Sequence, residues 1–453
     1  MKIGLLPLYI QLYEECAPAN HAPAQRAVDK AAEALRKCGF DVESTLLCHV
    51  KSEISAAVRK FEQSGCRVLV TLHAAYSPSL EAEDALVKTD LPIVVCDTTP
   101  DAEFEFFFGG KLMLNHGIHG VQDMCNILLR NKKRFIIRAG HIGDPCFMAR
   151  MKQAVLAADA AYTMTHARVG DIGGIFSGMG DFRVPGGTFG MKRIDYADAK
   201  AYIPSDAEID AEIAADKREF FIDPDLPEKI HRLTVKNGLR LRKWIAAQKL
   251  DAFTVNFLNC GPELGFDNVP FLECSKAMAR GVGYAGEGDM LTALFCGALL
   301  RSNPETTFSE MFCPDWKGNR IFLSHMGEMN LKLMDRKPYL AARKWKFGKG
   351  ADIAVATGCL RSGKAVLANL APGADGKFSL IAAQISLTAQ NDPDLTDMRG
   401  WMTPPGNMPV AEFLEAYSRL GGTHHLTLSY DGNLQLPADL AALMGWEFHE
   451  IRG

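Results

Sequence analysis

The sequence predicts an α/β protein in which two doubly wound parallel-sheet domains are followed by a β-rich, barrel-like C-terminal domain. Over the first part of the chain, short apolar segments alternate with amphipathic helical patterns, which is typical of parallel sheets covered by helices on both faces. The pattern then changes to successive strands separated by turns rich in Gly, Asp and Pro, which favours antiparallel pairing. With 453 residues, the chain is long enough for several domains.

The first domain is predicted over residues 1–162. It begins with the apolar strand KIGLLPLY, and the helical pattern opened by Pro23 stops at Gly39. The alternation then continues through the strands VESTLLC, CRVLVTL, PIVVCD and RFIIRAG, with helices between them and a last helix over 148–160. This order of elements predicts a parallel sheet.

The second domain is predicted over 163–303 and the third over 304–453. The second opens with a Gly-rich segment, 165–205, that we expect to be irregular. Its regular elements are two charged helices near 206–219 and 226–248, the strand DAFTVNF, and helices near 270–280 and 289–300. The third domain is expected to contain the strands IFLSH, DIAVATG, KAVLANL and KFSLIAAQISL and helices at 410–420 and 438–444.

Composition excludes several classes of protein. The formal charge is −4, from 50 basic and 54 acidic residues, and no basic block suggests binding to nucleic acid or to an anionic membrane. The 12 cysteines form no CxxC pair, which argues against a disulfide framework or a zinc ribbon and suits a reducing compartment. No apolar run approaches the length of a membrane span. We therefore expect a cytoplasmic protein that acts on small molecules.

Three motifs invite a functional reading that their context does not support. Gly281-Val-Gly283-Tyr-Ala-Gly286 matches a dinucleotide-binding pattern, but a predicted helix precedes it where a strand is required. The segment GCLRSGKA at 358–365 lacks the final hydroxyl of a phosphate loop and continues as a strand, so no nucleotide cofactor is expected. His116 and His119 lack an acidic partner at zinc-protease spacing and are interpreted as polar pocket residues.

Four segments in the second half of the chain offer metal ligands. Glu287 lies in YAGEGDM, Glu310 in FSEMF, His325 in IFLSHMGEMN, and the pair His424–His425 in GGTHHLTLSY. Two carboxylates with two imidazoles leave room for oxygens from substrate or water, which suits Mn²⁺, Mg²⁺ or Co²⁺ better than a closed structural zinc site. Each residue also has an ordinary alternative, since a Glu at a helix N-terminus is favoured by the helix dipole. These residues alone indicate no more than a candidate metal enzyme.

These segments resemble, in sequence and in order, the metal-binding segments of the L-arabinose isomerase and L-fucose isomerase superfamily, the arabinose branch most closely. VPFLECSKAMARGVGYAGEGDMLTAL is similar to the stretch leading to that family's first metal-binding glutamate. FSEMF and FLSHMGEMN are similar to the segments with its second glutamate and first histidine, and LGGTHHLTLSY to its C-terminal motif. The resemblance implies that Glu287, Glu310, His325 and His425 bind the metal and that the two glutamates are also the catalytic acid and base.

The resemblance also implies a set of substrate-binding residues. NHGIHGVQDM is similar to the segment whose histidine, here His119, reaches the substrate of a neighbouring subunit, and His116 stands where that family has an amide. Gln11 matches a substrate-binding glutamine to within one residue. GDFRV departs from the family's loop near the metal and puts Phe182 and Arg183 close to the expected sugar position. With His424, the implied set is Gln11, His116, His119, Phe182, Arg183 and His424.

The implied activity is metal-dependent interconversion of an aldose and a ketose through an enediol or enediolate. Mn²⁺ is the expected metal, with Mg²⁺ or Co²⁺ as alternatives, and the substrate is expected to be a pentose, a hexose or a modified aldose. Arg138 and Arg183 leave open an aldose with an anionic group, because a guanidinium binds such groups well. The resemblance further implies a homo-oligomer, a trimer or hexamer, with active sites at subunit interfaces.

Two other functions remain open at this point. A metal-dependent hydrolase could use the same four ligands, with a metal-activated water and a dedicated base. A non-catalytic sugar-binding protein could use the α/β domains as a clamp. An isomerase differs from both because it needs two acid/base groups close to C1 and C2 of the sugar, which the two glutamates would provide.

Overall fold

The computed structural model describes residues 1–104, 111–198, 200–348, 350–390, 397–430 and 433–453. The chain divides into two compact units. The N-terminal unit comprises Met1–Tyr162 with Ala438–Gly445, and the C-terminal unit comprises Thr163–Pro437 with Trp446–Gly453. The expected division into three domains, with a further boundary at 303/304, stays a prediction.

Strands and helices alternate through the first part of the described chain. The strands are β1 (Lys2–Leu8), β2 (Asp41–Ser44), β3 (Val68–His73), β4 (Ile93–Asp97), β5 (Phe135–Ala139), β6 (Arg168–Ile172), β7 (Lys192–Asp195), β8 (Phe221–Ile222), β9 (Ala252–Val255), β10 (Gly283–Gly286), β11 (Thr306–Asp315), β12 (Arg320–Ser324), β13 (Tyr339–Arg343), β14 (Ile353–Cys359), β15 (Gly363–Pro372), β16 (Phe378–Thr388), β17 (Met398–Thr403), β18 (His425–Tyr430) and β19 (Glu447–Ile451).

The helices include most of those expected from the hydrophobic patterns. They are α1 (Gln11–Cys16), α2 (His21–Lys37), α3 (Lys51–Gln63), α4 (Ser79–Lys88), α5 (Leu112–Asn115), α6 (Ile118–Arg130), α7 (Pro145–His166), α8 (Asp206–Glu219), α9 (Glu228–Gln248), α10 (Phe271–Ala279), α11 (Met290–Ser302), α12 (Val410–Arg419) and α13 (Gln435–Met444). None of these helices combines the length and apolarity needed to cross a membrane.

The N-terminal unit is built on a five-stranded parallel sheet in the order β2-β1-β3-β4-β5. Every residue of β3 is buried, as is nearly all of β1, because a parallel sheet with helices on both faces hides both sets of alternating side chains. The sequence prediction of a doubly wound parallel sheet is confirmed for this unit.

The C-terminal unit contains a second parallel sheet, of four strands in the order β10-β9-β6-β7. Two of its strands, β6 and β7, lie inside the segment 165–205 that the sequence analysis expected to be irregular, so that expectation is wrong for them. β10, with the sequence GYAG, was also not foreseen. Its glycines suggest a loop in isolation, but they let helix α11 lie directly on the strand: a Cβ on Gly283 would be 2.4 Å from the backbone oxygen of Ala293.

The remaining sheet has ten strands in the order β19-β16-β15-β18-β11-β12-β17-β14-β13-β8. Strand β16 also pairs with β17, so that the strands from β16 to β17 close into a ring. The interior of this β-rich part is filled by apolar side chains such as Leu323, Leu367, Ile381 and Leu428. The prediction of a β-rich C-terminal region is confirmed, and its closed part is ring-like.

We predict that Gly283→Ala destabilises the protein, because the new methyl group would also lie 2.4 Å from the backbone nitrogen of Gly297. Overpacking of this kind costs about 1–3 kcal/mol of folding free energy. Calorimetric unfolding would measure it. Gly186→Ala is the control, since a Cβ there meets no heavy atom of the described residues within 4 Å. Equal unfolding temperatures for the two variants would contradict the close packing of α11 on β10.

Candidate functional site

Strand register brings three of the predicted metal ligands together. Glu310 on β11 lies directly opposite His425 on β18 and, on its other side, opposite Ser324 at the end of β12. His325 follows Ser324 immediately, and its ring centroid is 5.5 Å from that of His425. The buried ring of Phe308 lies edge-on against both imidazoles, at 5.0 Å from each. A carboxylate and two imidazoles therefore meet at one place in the ring of strands.

Glu287 reaches the same place from the turn between β10 and α11. Its backbone has φ +65°, in the left-handed region that a non-glycine residue rarely adopts and that costs about 1–3 kcal/mol. Two backbone hydrogen bonds hold this conformation: the N–H of Glu287 donates to Val255 (2.8 Å), and its carbonyl accepts from the N–H of Phe176 (2.9 Å). The preceding Gly286 is covered by His325, whose Cε1 would be 2.6 Å from an added Cβ. A strained backbone thus places this carboxylate next to the imidazoles.

Each of the two buried histidines is held by a carboxylate on one ring nitrogen. Nδ1 of His325 is 3.0 Å from Glu328, and Nδ1 of His425 is 2.9 Å from Asp289. An ionised carboxylate only accepts hydrogen bonds, so Nδ1 carries the hydrogen, and Nε2 is the ring atom that can offer a lone pair to a metal. Nε2 of His425 is buried, lies 3.6 Å from Glu287, and makes no hydrogen bond within the described ranges. This orientation is the one that metal-binding histidines adopt.

The neighbouring His424 is in a different electrostatic state. Its Nδ1 and its backbone N–H both donate to Asp181, at 2.6 and 2.9 Å, and its Nε2 is 3.5 Å from Glu287. Burial lowers the pKa of His424, but Asp181 and Glu287 outweigh this effect and raise the pKa to about 10. Asp181 and Glu287 therefore favour the protonated form of His424, in which both ring nitrogens are hydrogen-bond donors.

The two candidate acid/base carboxylates differ in their pKa values. Burial raises the pKa of Glu310 above its ordinary value, despite the opposing effect of the nearby histidines. Burial also raises the pKa of Glu287, but the contact with His424 and the charges of the imidazoles outweigh it, so that its pKa is lowered. Two carboxylates in such different environments are suited to opposite roles in proton transfer.

Two of the expected substrate-binding residues lie in the loop before β7. Phe182 is buried, and its ring is stacked on that of His425 at a centroid distance of 5.4 Å. Arg183 is exposed and donates to two backbone carbonyls of its own loop, those of Met179 (2.6 Å) and Phe176 (3.3 Å). Phe182 therefore supports the imidazole, and Arg183 helps to fix the loop that carries it.

The other expected substrate-binding residues belong to the N-terminal unit. Gln11 is exposed at the start of α1. Nε2 of His116 is hydrogen-bonded to the Tyr13 hydroxyl at 2.7 Å, and its ring stacks on that of the exposed His119 at 5.1 Å. Burial lowers the pKa of His116, and so does the neighbouring imidazole. Arg138, which the sequence left open as an anion-binding residue, pairs with the buried Asp439.

The four predicted ligands fit a divalent cation. Of the four, Glu287 and His425 offer ligand atoms within 4.8 Å of each other, in a group that also includes His424, and Glu310 is coupled electrostatically to His325, His425 and Glu287. The buried Nε2 of His425 is the observation that favours a cation most directly, because a buried polar atom without a hydrogen bond is costly. Sequence reasoning missed Asp181, Asp289 and Glu328, although all three lie inside motifs quoted in the sequence analysis.

The chain matches models of two parts of one protein family. Residues 194–302 match the L-arabinose isomerase central domain, and residues 305–447 match the L-arabinose isomerase C-terminal domain. These ranges include all four predicted metal ligands.

Individual relatives are similar over different lengths. The chain is 25% identical to L-arabinose isomerase of Pediococcus pentosaceus over 97% of the chain and 96% of that relative. It is 25% identical to L-arabinose isomerase of Saccharophagus degradans over 74% of the chain and 70% of the relative. With L-arabinose isomerase of Leuconostoc mesenteroides it shares 28% identity, and it spans about half the length of that relative (51%). The chain belongs to the L-arabinose isomerase-like family.

Proposed function

We propose that this chain is a divalent-metal-dependent aldose–ketose isomerase whose metal is held by Glu287, Glu310, His325 and His425. The observation that carries the proposal is the arrangement of the two buried histidines. Each has Nδ1 bound to a carboxylate and is thereby oriented as a ligand, and His425 presents a buried Nε2 beside Glu287. The similarity to proteins named L-arabinose isomerase supports the same reaction class.

The chemistry requires a proton to move between two adjacent carbons of an open-chain sugar. A divalent ion, when bound, polarises the carbonyl and hydroxyl oxygens next to those carbons. One glutamate carboxylate accepts the proton from C2 to give an enediolate, the hydroxyl proton moves from O2 to O1, and a proton is returned at C1. No electron acceptor is needed, because the sugar is oxidised at C2 and reduced at C1 in the same step.

The side chains around the glutamates support this reaction in two ways. His424, as an imidazolium, can donate a hydrogen bond to a sugar oxygen while Asp181 holds its ring in place. Phe182 and Phe308 pack against the ligating imidazoles and keep bulk water away from them.

Hydrolysis, the alternative reaction, would need a metal-activated water with a dedicated base. The presence of two carboxylates beside the same imidazoles favours isomerisation.

The finer features of the proposal rest on family similarity. We infer that Mn²⁺ is the metal, since two carboxylates and two imidazoles leave positions for sugar oxygens. We also infer a cytoplasmic homo-oligomer, a trimer or hexamer, in which His119 of one subunit reaches the sugar bound by its neighbour, and in which Gln11 and His116 also bind substrate. The contact between Tyr13 and His116 would fix the imidazole for that role.

The first prediction compares the two adjacent histidines. His425→Gln should lose bound Mn²⁺, because it removes the buried Nε2 beside Glu287. His424→Gln should retain Mn²⁺ and lower kcat/KM, because it removes a donor and not a ligand. Metal content after dialysis and steady-state kinetics would measure the two effects. Loss of the metal in the His424 variant alone would show that the ligand was assigned to the wrong histidine.

The second prediction tests proton transfer. Glu310→Gln retains an oxygen for the metal but cannot exchange a proton, so turnover should fall by about 10²–10⁴-fold with substantial metal still bound. Ketose formation and metal content would be measured on the same preparation. Glu412→Gln is the matched control, since Glu412 is exposed on α12. Turnover within a few-fold of wild type for Glu310→Gln would remove this residue from catalysis.

The third prediction concerns the substrate. Arg138 is neutralised by Asp439 and Arg183 is occupied by backbone carbonyls, so we expect neutral aldoses to be used better than aldoses with a carboxylate or phosphate. Arg183→Ala should lower kcat/KM for both classes by a similar factor, because it loosens the loop that carries Phe182. A loss confined to the anionic aldoses would instead mean that Arg183 binds an anionic group of the substrate.

A further inference from the structure

A second cluster of metal-ligand residues lies in the N-terminal unit. Glu14 on α1, His21 at the start of α2 and His49 after β2 converge there, and we name them the 14/21/49 cluster. Oε1 of Glu14 is 2.7 Å from Nδ1 of His21 and 2.9 Å from Nε2 of His49. All three ligand atoms lie within 4.8 Å of one another.

These distances are somewhat shorter than those between neighbouring ligands of one metal ion. Nitrogen and oxygen ligands lie at about 2.1 Å from zinc-like ions, so two ligands at the tetrahedral angle are about 3.4 Å apart. The carboxylate oxygen and the two ring nitrogens would therefore have to move apart by roughly half an ångström or slightly more to admit an ion. His21 and His49 are stacked at a centroid distance of 6.4 Å, which leaves the carboxylate between their inner nitrogens.

The second nitrogen of His49 is also held by a carboxylate. Nδ1 of His49 is 3.1 Å from Oε2 of Glu53, and the backbone N–H of His49 donates to the same oxygen at 2.8 Å. With Nδ1 as the donor, a neutral ring has a lone pair on Nε2 facing the carboxylate of Glu14, which is also an acceptor. Only a proton or a metal cation on Nε2 resolves this opposition.

The surroundings favour a metal that remains accessible. The side chain of His49 is 12% exposed, that of Glu14 25% and that of His21 44%, so one side of the cluster is open to water. The ring of Tyr9 packs edge-on against His49 at 5.7 Å and closes the other side. Two imidazoles with one carboxylate and open positions suit Zn²⁺, Co²⁺ or Ni²⁺ rather than Mg²⁺ or Ca²⁺.

We propose that Glu14, His21 and His49 form a second metal site, for a borderline divalent ion such as Zn²⁺ or Co²⁺, with Glu53 orienting His49. Because its ligands come from α1, α2 and the segment after β2, the bound ion fastens three separate pieces of the N-terminal unit to one another. The site is independent of the isomerase proposal, since its residues are not part of that ligand set.

The test counts metal ions per chain with Co²⁺ as the probe. After chelation and dialysis, the full-length wild type should bind two Co²⁺ ions, and His21→Gln and His49→Gln should each bind one. His21 is exposed enough that its replacement should not affect folding. His449→Gln is the matched control, because it removes an imidazole that also faces a carboxylate, at 3.6 Å, and it should keep both ions.

Two further variants make the result specific. Glu53→Gln should weaken the second site by about 10–100-fold without removing a ligand, as expected for a group that orients a histidine. His425→Gln should remove only the ion of the isomerase site. If the wild type binds a single ion and His49→Gln abolishes it, the result would support the 14/21/49 cluster and contradict the metal centre of the isomerase proposal. Unchanged stoichiometry and affinity in both cluster variants would overturn the proposal and leave a protonated ion-pair network.

Discussion

The hydrogen bond between Asp289 and His425 is the interaction on which the rest of the candidate site depends. One oxygen of Asp289 accepts from the backbone N–H of Thr292 and begins helix α11, and the other is 2.9 Å from Nδ1 of His425. Both side chains are completely buried, so neither can exchange its partner for water. Removing either group would leave an uncompensated polar group in the interior. The helix, the turn before it and strand β18 therefore hold one another in position.

That constraint explains how a strained turn persists at Glu287. The residue is fixed between β10, on which α11 lies directly, and Asp289, which caps the same helix. The surrounding packing offsets the cost of the left-handed backbone, and the carboxylate is presented to the imidazoles from a different element than the one that carries Glu310. Strain of this kind is commonly found where geometry serves a function.

Two adjacent histidines acquire different roles because different carboxylates hold them. His425 is buried against Phe308 and Phe182 with a single carboxylate on Nδ1, which leaves Nε2 for a cation. His424 is partly exposed and lies between Asp181 and Glu287, which keep it protonated. The identity of the residue is the same in both cases, and the environment decides whether it is a ligand or a donor.

The sequence by itself determined the alternating parallel-sheet pattern, the β-rich C-terminal part and the short motifs that contain Glu287, Glu310, His325 and His425. It missed β6, β7 and β10, because their glycines and polar residues suggest loops when the segments packed against them are not known. Only the tertiary structure decided that Glu310 lies opposite His425, that Asp289 pairs with a histidine 136 residues away, and that Glu14, His21 and His49 meet. The physical reason is that strand order and register set these contacts, and both result from the packing of distant segments rather than from any local pattern.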